Sequence, residues 1–259
     1  MKKSFFLALF LVQIAFAAPV GNPAVPRTVE KGFVFPGKWF SFRLGYEGDF
    51  VANRRLKEKR AHRIDDFAQD CNSGFLVINL LNRLDLYGII GQARYKSDWI
   101  VQQSATSFTR VDLETSYRWR WDLGFNAIFF EWSNVTFALG GRYAKTDPNL
   151  LWISLDADTY KPADPSFSYE EWQADAAISY KIDIFIPYIS FKYSHADVNL
   201  KVPDLVISSF GTDEMHMKSR HHYGTAFGCG FSNGDYFHLN GEVRLFDEEA
   251  FTVTGEFRF

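Results

Sequence analysis

Two groups of residues in this sequence have the types that chemistry needs. The first joins histidine with carboxylate: His216, His221 and His222 near Asp213 and Glu214, and His62 near Asp65 and Asp66. General acid/base work requires such groups to converge on one proton, and here they cluster only in sequence, within stretches that read as loops. Solvated loop histidines are the expected outcome. His221-His222 also makes a poor metal site, because adjacent strand residues point to opposite faces. No nucleophile elbow, phosphate loop or zinc spacing is present, so the sequence calls for no catalytic residue, cofactor or metal. The second group is a set of charges of both signs recurring on one parity: Arg43, Glu47, Asp49, Arg94, Asp112, Glu114, Arg118, Arg120, Asp122, Arg142, Asp175, Lys181, Lys192, Glu242, Arg244, Glu256 and Arg258. Rings of like charge around a pore set ion preference. Opposite charges on facing strands instead pair and fill the interior, which is the expected role of any single one of them.

The elements that position these charges are strands. In Thr109–Glu131 every second residue from Val111 to Phe129 is apolar or aromatic, apart from Thr115, and includes Trp119 and Trp121. The residues between are mostly charged, from Asp112 and Glu114 through Arg118, Arg120 and Asp122. Side chains alternate across a strand, so this stretch has one apolar and one polar face. A strand with its apolar face toward lipid and its polar face toward a wet lumen carries this pattern. We expect one long strand here, with Trp119 and Trp121 near an outer aromatic girdle and Phe129–Trp132 near an inner one.

Nine further stretches read as strands: Phe40–Phe50, the apolar run Phe75–Leu81, Tyr87–Tyr95, Val135–Tyr143, Trp172–Tyr180, Pro187–Tyr193, Tyr223–Phe231, Phe237–Leu245 and Phe251–Phe259, all but the apolar run alternating in the same way. In the third of these, Tyr87 to Tyr95 are read as outward and Arg94 as inward. Long polar connections are expected at 52–73, 96–108, 146–168 and 195–220, and tight turns near 83, 133, 183 and 234. The connection near 248 is short where a long one is due. An even strand number with long loops on one side and tight turns on the other predicts an all-β, transmembrane antiparallel barrel of about ten strands. An extra hairpin near Leu150–Leu155 would raise the count to twelve.

The start of the chain agrees with that destination. Lys2 and Lys3 precede an apolar run from Phe5 to Ala15 and an Ala15-Phe16-Ala17 site, which reads as a signal peptide over 1–17. Residues 18–37, with Pro19, Pro23, Pro26 and Pro36, read as an irregular arm, and 38–259 as the barrel. Without the signal segment the chain holds 26 basic against 31 acidic residues, no footprint for nucleic acid. Aromatic residues make up 18% of the 259, yet no later run of eighteen apolar residues would form a membrane helix. Cys71 and Cys229 are too few for a disulfide framework, and Cys229 falls on an outward parity. A soluble barrel is the competing reading, but its outer face would be richer in lysine.

Several stretches resemble one family, the chlamydia-type major outer membrane porins. They are APVGNPAVP at the mature start, RLGYEGDFVANRRLK (43–57), INLLNRLDLYG (78–88), LGGRYAK (139–145), SYEEWQADAAISYKIDIFIPYISFKYS (168–194), MKSR (217–220) and GEVRLFDEEAFTVTGEFRF (241–259). The resemblance spans the mature chain apart from the loops. It implies a bacterial outer-membrane porin: passive diffusion of small hydrophilic solutes or ions, a lipid surround and a homotrimer. The alternative is a narrow, non-conducting barrel whose loops meet a host or envelope partner. Two departures stand out. Family members are cysteine-rich where this chain has Gly88 and Tyr223, and this chain is shorter, so cross-linking is not implied and pore width is left open.

Overall fold

The computed structural model describes residues 19–28, 39–58, 61–102, 107–156, 158–161, 166–201, 214–234 and 236–259. The expected signal peptide and Asp213 lie outside them. Among the described residues one short helix, α1 (Val25–Thr28), precedes fifteen strands. In chain order these are β1 (Phe40–Arg54), β2 (Leu56–Lys57), β3 (Ala61–Leu80), β4 (Leu84–Gln102) and β5 (Phe108–Thr115). There follow β6 (Arg118–Trp132), β7 (Val135–Thr146), β8 (Leu150–Leu155), β9 (Asp158–Tyr160) and β10 (Ser166–Tyr180). The last are β11 (Phe185–Lys201), β12 (Glu214–Ser219), β13 (Tyr223–Ser232), β14 (Phe237–Leu245) and β15 (Glu248–Arg258).

Ten of these form a closed antiparallel wall in the order β1-β3-β4-β6-β7-β10-β11-β13-β14-β15, with β15 returning to β1. Closure gives the wall no free edge, which is what strands need in hydrocarbon that offers no hydrogen bonds. At one end the connections are tight, and Leu81, Asn82, Ser133 and Asp183 take positive φ there. We call this end periplasmic, by the usual arrangement of outer-membrane barrels. At the other end the connections are longer except for the β14–β15 hairpin at Phe246-Asp247. That low stretch of rim is covered: β2 and β12 pair over it, and the Arg55 amide donates to the Asp247 carbonyl.

A membrane crossing takes about ten strand residues. β3 and β4 have 20 and 19, so their outer halves stand clear of the membrane. The consequence shows in β11. Ile189, Phe191 and Tyr193 face out while Ser190, Lys192 and Ser194 are buried inside; beyond His195 the outward residues become Asp197 and Asn199 and the buried ones Ala196, Val198 and Leu200. Parity is continuous, but polarity inverts where the strand leaves the lipid. The barrel therefore has two storeys. The lower one is apolar outside and charged inside. The upper one follows the ordinary water-soluble rule, with an interior of Phe67, Tyr95, Trp99, Val111, Leu113, Phe167, Tyr169 and Met217 among others.

Four expectations need correcting. On β4 the faces are the reverse of the reading along its whole length: Ile89, Ala93 and Tyr95 are buried inside and Tyr87 lines the lumen, whereas Leu86 and Ile90 face out. Thr109–Glu131 is not one strand: it breaks at Ser116-Tyr117, and β5 peels away to pair with the upper half of β4 and with β8. The face flips across the break, so Val111, Leu113 and Thr115 are buried inside whereas Trp119, Trp121, Leu123 and Phe125 face out as read. The connections at 52–73, 96–108 and 195–220 are largely strand, because β3, β4, β11 and β12 extend into them. The hairpin near Leu150–Leu155 does exist as β8 and β9, but it hangs on β5 and adds nothing to the wall.

Candidate functional site

The lower interior is where the charges meet, and they meet in pairs. Near the periplasmic end Arg43 bonds Asp85 and, at 3.1 Å, Glu256, while Asn79 donates to Asp85 at 2.6 Å. Higher up, Asp122 lies between two arginines. It accepts from Arg120 Nε and Nη2 at 2.9 and 3.1 Å and from Arg142 Nε at 2.8 Å, and Arg142 also reaches Glu47 at 2.8 Å. Beside them Arg244 donates to Asp49 at 2.7 Å and Thr252 Oγ1 donates to the same oxygen at 2.8 Å. At the top of the polar storey Arg54 binds Glu171 at 2.5 Å, Glu248 and Ser194, and Lys192 binds Glu248 and, at 3.1 Å, Asp247. Seven basic residues and nine carboxylates among the described residues are buried in this way. Charges taken out of water persist only where partners replace it.

Two further features occupy the bore. Above the charges, rings cross it: Tyr95 of β4 lies 5.0 Å from Tyr169 and 5.4 Å from Phe167 of β10, and Phe67 of β3 lies 6.1 Å from Tyr169. β4 and β10 are separated in the wall by β6 and β7, so these contacts span the interior. Below, the chain's own Pro19–Thr28 sits within the lumen. The amides of Val20 and Gly21 donate to Glu242 at 2.8 and 2.9 Å, and Gln173 donates to the Pro19 carbonyl at 3.1 Å. Asn22 donates to the Ile186 carbonyl at 2.9 Å, Asn79 to that of Pro26 at 3.1 Å, and Arg27 pairs with Glu131 at 2.8 Å.

Of the residues read as lumen-lining, Arg43, Glu47, Asp49, Arg120, Asp122, Arg142, Lys192, Glu242, Arg244, Glu256 and Arg258 are buried inside, and Asp175 faces the same interior, against Gly140. Five are elsewhere. Arg94 is on the outer face of β4, held by Asp70 at 2.5 Å and Glu114 at 3.2 Å and lying over the Tyr117 ring. Glu114 and Asp112 are on the outer face of β5, beyond the lipid, where apolar residues turn inward. Arg118 is exposed at the start of β6, and Lys181 is exposed at the periplasmic turn. Outside the membrane, partial burial and then the neighbouring Asp98 hold the Asp112 carboxyl above the usual carboxylate range. Hydrogen bonding to Asp98 raises Arg110.

Five buried partners fall outside the set read as lumen-lining: Asp85, Arg54, Glu171, Asp247 and Glu248. Glu171 shares the inward parity of Gln173 and Asp175 and is legible on that ground; Arg54 and Glu248 sit in stretches that look like solvated loop. Among the described residues the candidate histidines do not gather at one site. His216 is exposed with Glu214 at 3.6 Å, and His222 stacks on Tyr193 and His195 on the outer face, with Trp172 beside them. The His62 side chain lies outside the described residues. Cys71 is buried inside and Cys229 sits on the outer face, both as free thiols.

The model of the Chlamydia major outer membrane protein family matches residues 141–208. The major outer membrane porin of Chlamydia trachomatis serovar L1 is 23% identical over 98% of this chain and 98% of its own, and that of serovar H 25% over the same shares. The chain is similar to the chlamydial major outer membrane porins along nearly its whole length. The alignment to the serovar L1 porin runs to 384 positions against 259 residues here, in keeping with the shorter length read as a departure from that family. Solved structures align as well: the COG4313 outer membrane channel from Pseudomonas putida F1 at 12% identity and TM-score 0.41, covering 87% of this chain and 98% of that one. OprG from Pseudomonas aeruginosa aligns at 7% and 0.38, over 86% and 98%. The chain is an outer-membrane barrel with an aromatic outer face.

Proposed function

We propose that the chain works as a porin-type barrel, passing small hydrophilic solutes or ions through its charged lumen, and that the conformation described is its shut state. Similarity to proteins named porins along 98% of each chain carries this reading, and the lumen supplies fixed charges of both signs for ions to exchange with. One observation favours a second reading, a narrow non-conducting barrel: the rings of Tyr95, Tyr169, Phe67 and Phe167 meet across the bore. A homotrimer through the outer wall and contacts of the outer storey with a host or envelope partner belong to the proposal too. So does a non-enzymatic role, supported by the similarity to proteins named porins.

Conductance of the refolded protein in a planar bilayer decides between the readings. Discrete, reproducible steps are expected. A folded, heat-modifiable barrel that never gives steps, at any voltage or pH, would leave only the non-conducting reading.

A further inference from the structure

The segment Pro19–Thr28 has the attributes of a movable part. It is reached from the periplasmic end, with Arg27 bonded to Glu131 at the lower rim and Pro19 at mid-height beside Gln173. Its hydrophobic anchoring is slight: Val20 packs with Ala177 and Ala226, all with small side chains. It is held besides by hydrogen bonds, most concentrated at the paired amides on Glu242, and by the Arg27–Glu131 ion pair at the rim. The wall is shaped to admit it, since a side-chain carbon at Gly230 would come within 2.5 Å of Asn22. The fit is not tight throughout: a cavity of about 100 Å³ lies beside the segment, lined by Val20, Asn22 and Val25 together with Tyr87, His238 and Thr254. A segment near the N-terminus, tied mainly by exchangeable hydrogen bonds beside empty space, can leave without disturbing the ladder of the wall.

We propose that Pro19–Thr28 is a retractable plug of the periplasmic half of the lumen, latched by the Glu242 carboxylate on the Val20 and Gly21 amides. Its role in permeation rests on the porin reading; its occlusion of the lower lumen does not. A reporter thiol separates the two. In a C71S/C229S background, T254C lies behind the plug and is offered a charged, membrane-impermeant maleimide from the periplasmic side. Labelling scales with the fraction of time the plug is out, so deletion of 19–28 is expected to speed it about tenfold or more, and E242Q, which keeps the shape but loses one acceptor oxygen, to a lesser degree. Adding the peptide PVGNPAVPRT to the deletion variant should slow labelling again. Equal rates in the parent, deletion and E242Q forms, each heat-modifiable, would overturn the plug, as would a peptide without effect. Should the deletion not fold, the rate of E242Q against that of the parent decides the same question. A barrel that never conducts but labels faster without the segment would sink the porin reading and keep the plug.

Discussion

Replacing Asp122 by Asn asks whether the lumen is dry at mid-height. Asp122 is 1% exposed and is the acceptor for both Arg120 and Arg142. In D122N Arg142 keeps Glu47, but Arg120, itself 2% exposed, loses its charged partner. An uncompensated charge in a dry interior costs about 3–5 kcal/mol. In an open pore water would solvate the same guanidinium, and the loss would fall toward the small value of an exposed pair. The assay is reversible urea unfolding of the barrel in lipid, followed by tryptophan emission, with D112N on the outer face as the control. D122N is expected to lower the midpoint well beyond D112N. Equal midpoints would refute the packed interior and place water beside Arg120.

Other consequences follow from the same geometry. F167A removes a ring that is 2% exposed from the cross-lumen cluster; it should cost about 3–5 kcal/mol and raise conductance, and an unchanged conductance would show that the rings are not the barrier. With nine buried carboxylates against seven buried basic residues, the reversal potential across a salt gradient should have the sign of weak cation preference, and E47Q with E242Q should reduce it. Asp112 binds its proton more tightly in the folded protein, so stability falls as pH rises from the free carboxylate value of about 3.9 through its raised value, and D112N should flatten that slope in acid unfolding titrations. R94C should be labelled by an impermeant reagent from the outer side at the same rate with or without residues 19–28, since Arg94 lies on the outer face.

Strand existence, the tight periplasmic turns and the lower-storey faces, those of β4 excepted, were legible because lipid on one side and enclosed charge on the other impose a strict period of two. Arg43, Asp49, Asp122, Arg142, Lys192 and Arg244 follow from that rule alone. Asp112 and Glu114 were misplaced because the rule was carried past the edge of the membrane, where water surrounds the barrel and apolar residues turn inward. Arg94 was misplaced because all of β4 reads with its faces reversed, although Tyr87 and Ile89 line the lumen and Leu86 and Ile90 face out. The inversion is written in β11, where Lys192 and Ser194 give way to Val198 and Leu200 on one parity, but a strand does not state where the bilayer ends. Ser116-Tyr117 carries no strong break signal either; the flip there comes from β5 finding β4 and β8. Pairing between distant strands belongs to the tertiary structure. Arg120 and Asp122 are neighbours on one face of β6, but Arg142 meets Glu47 of β1, Arg54 meets Glu171 of β10, and Glu242 meets Val20 at a separation of 222 residues, because closure of the wall brings them face to face across a space that no local pattern encodes.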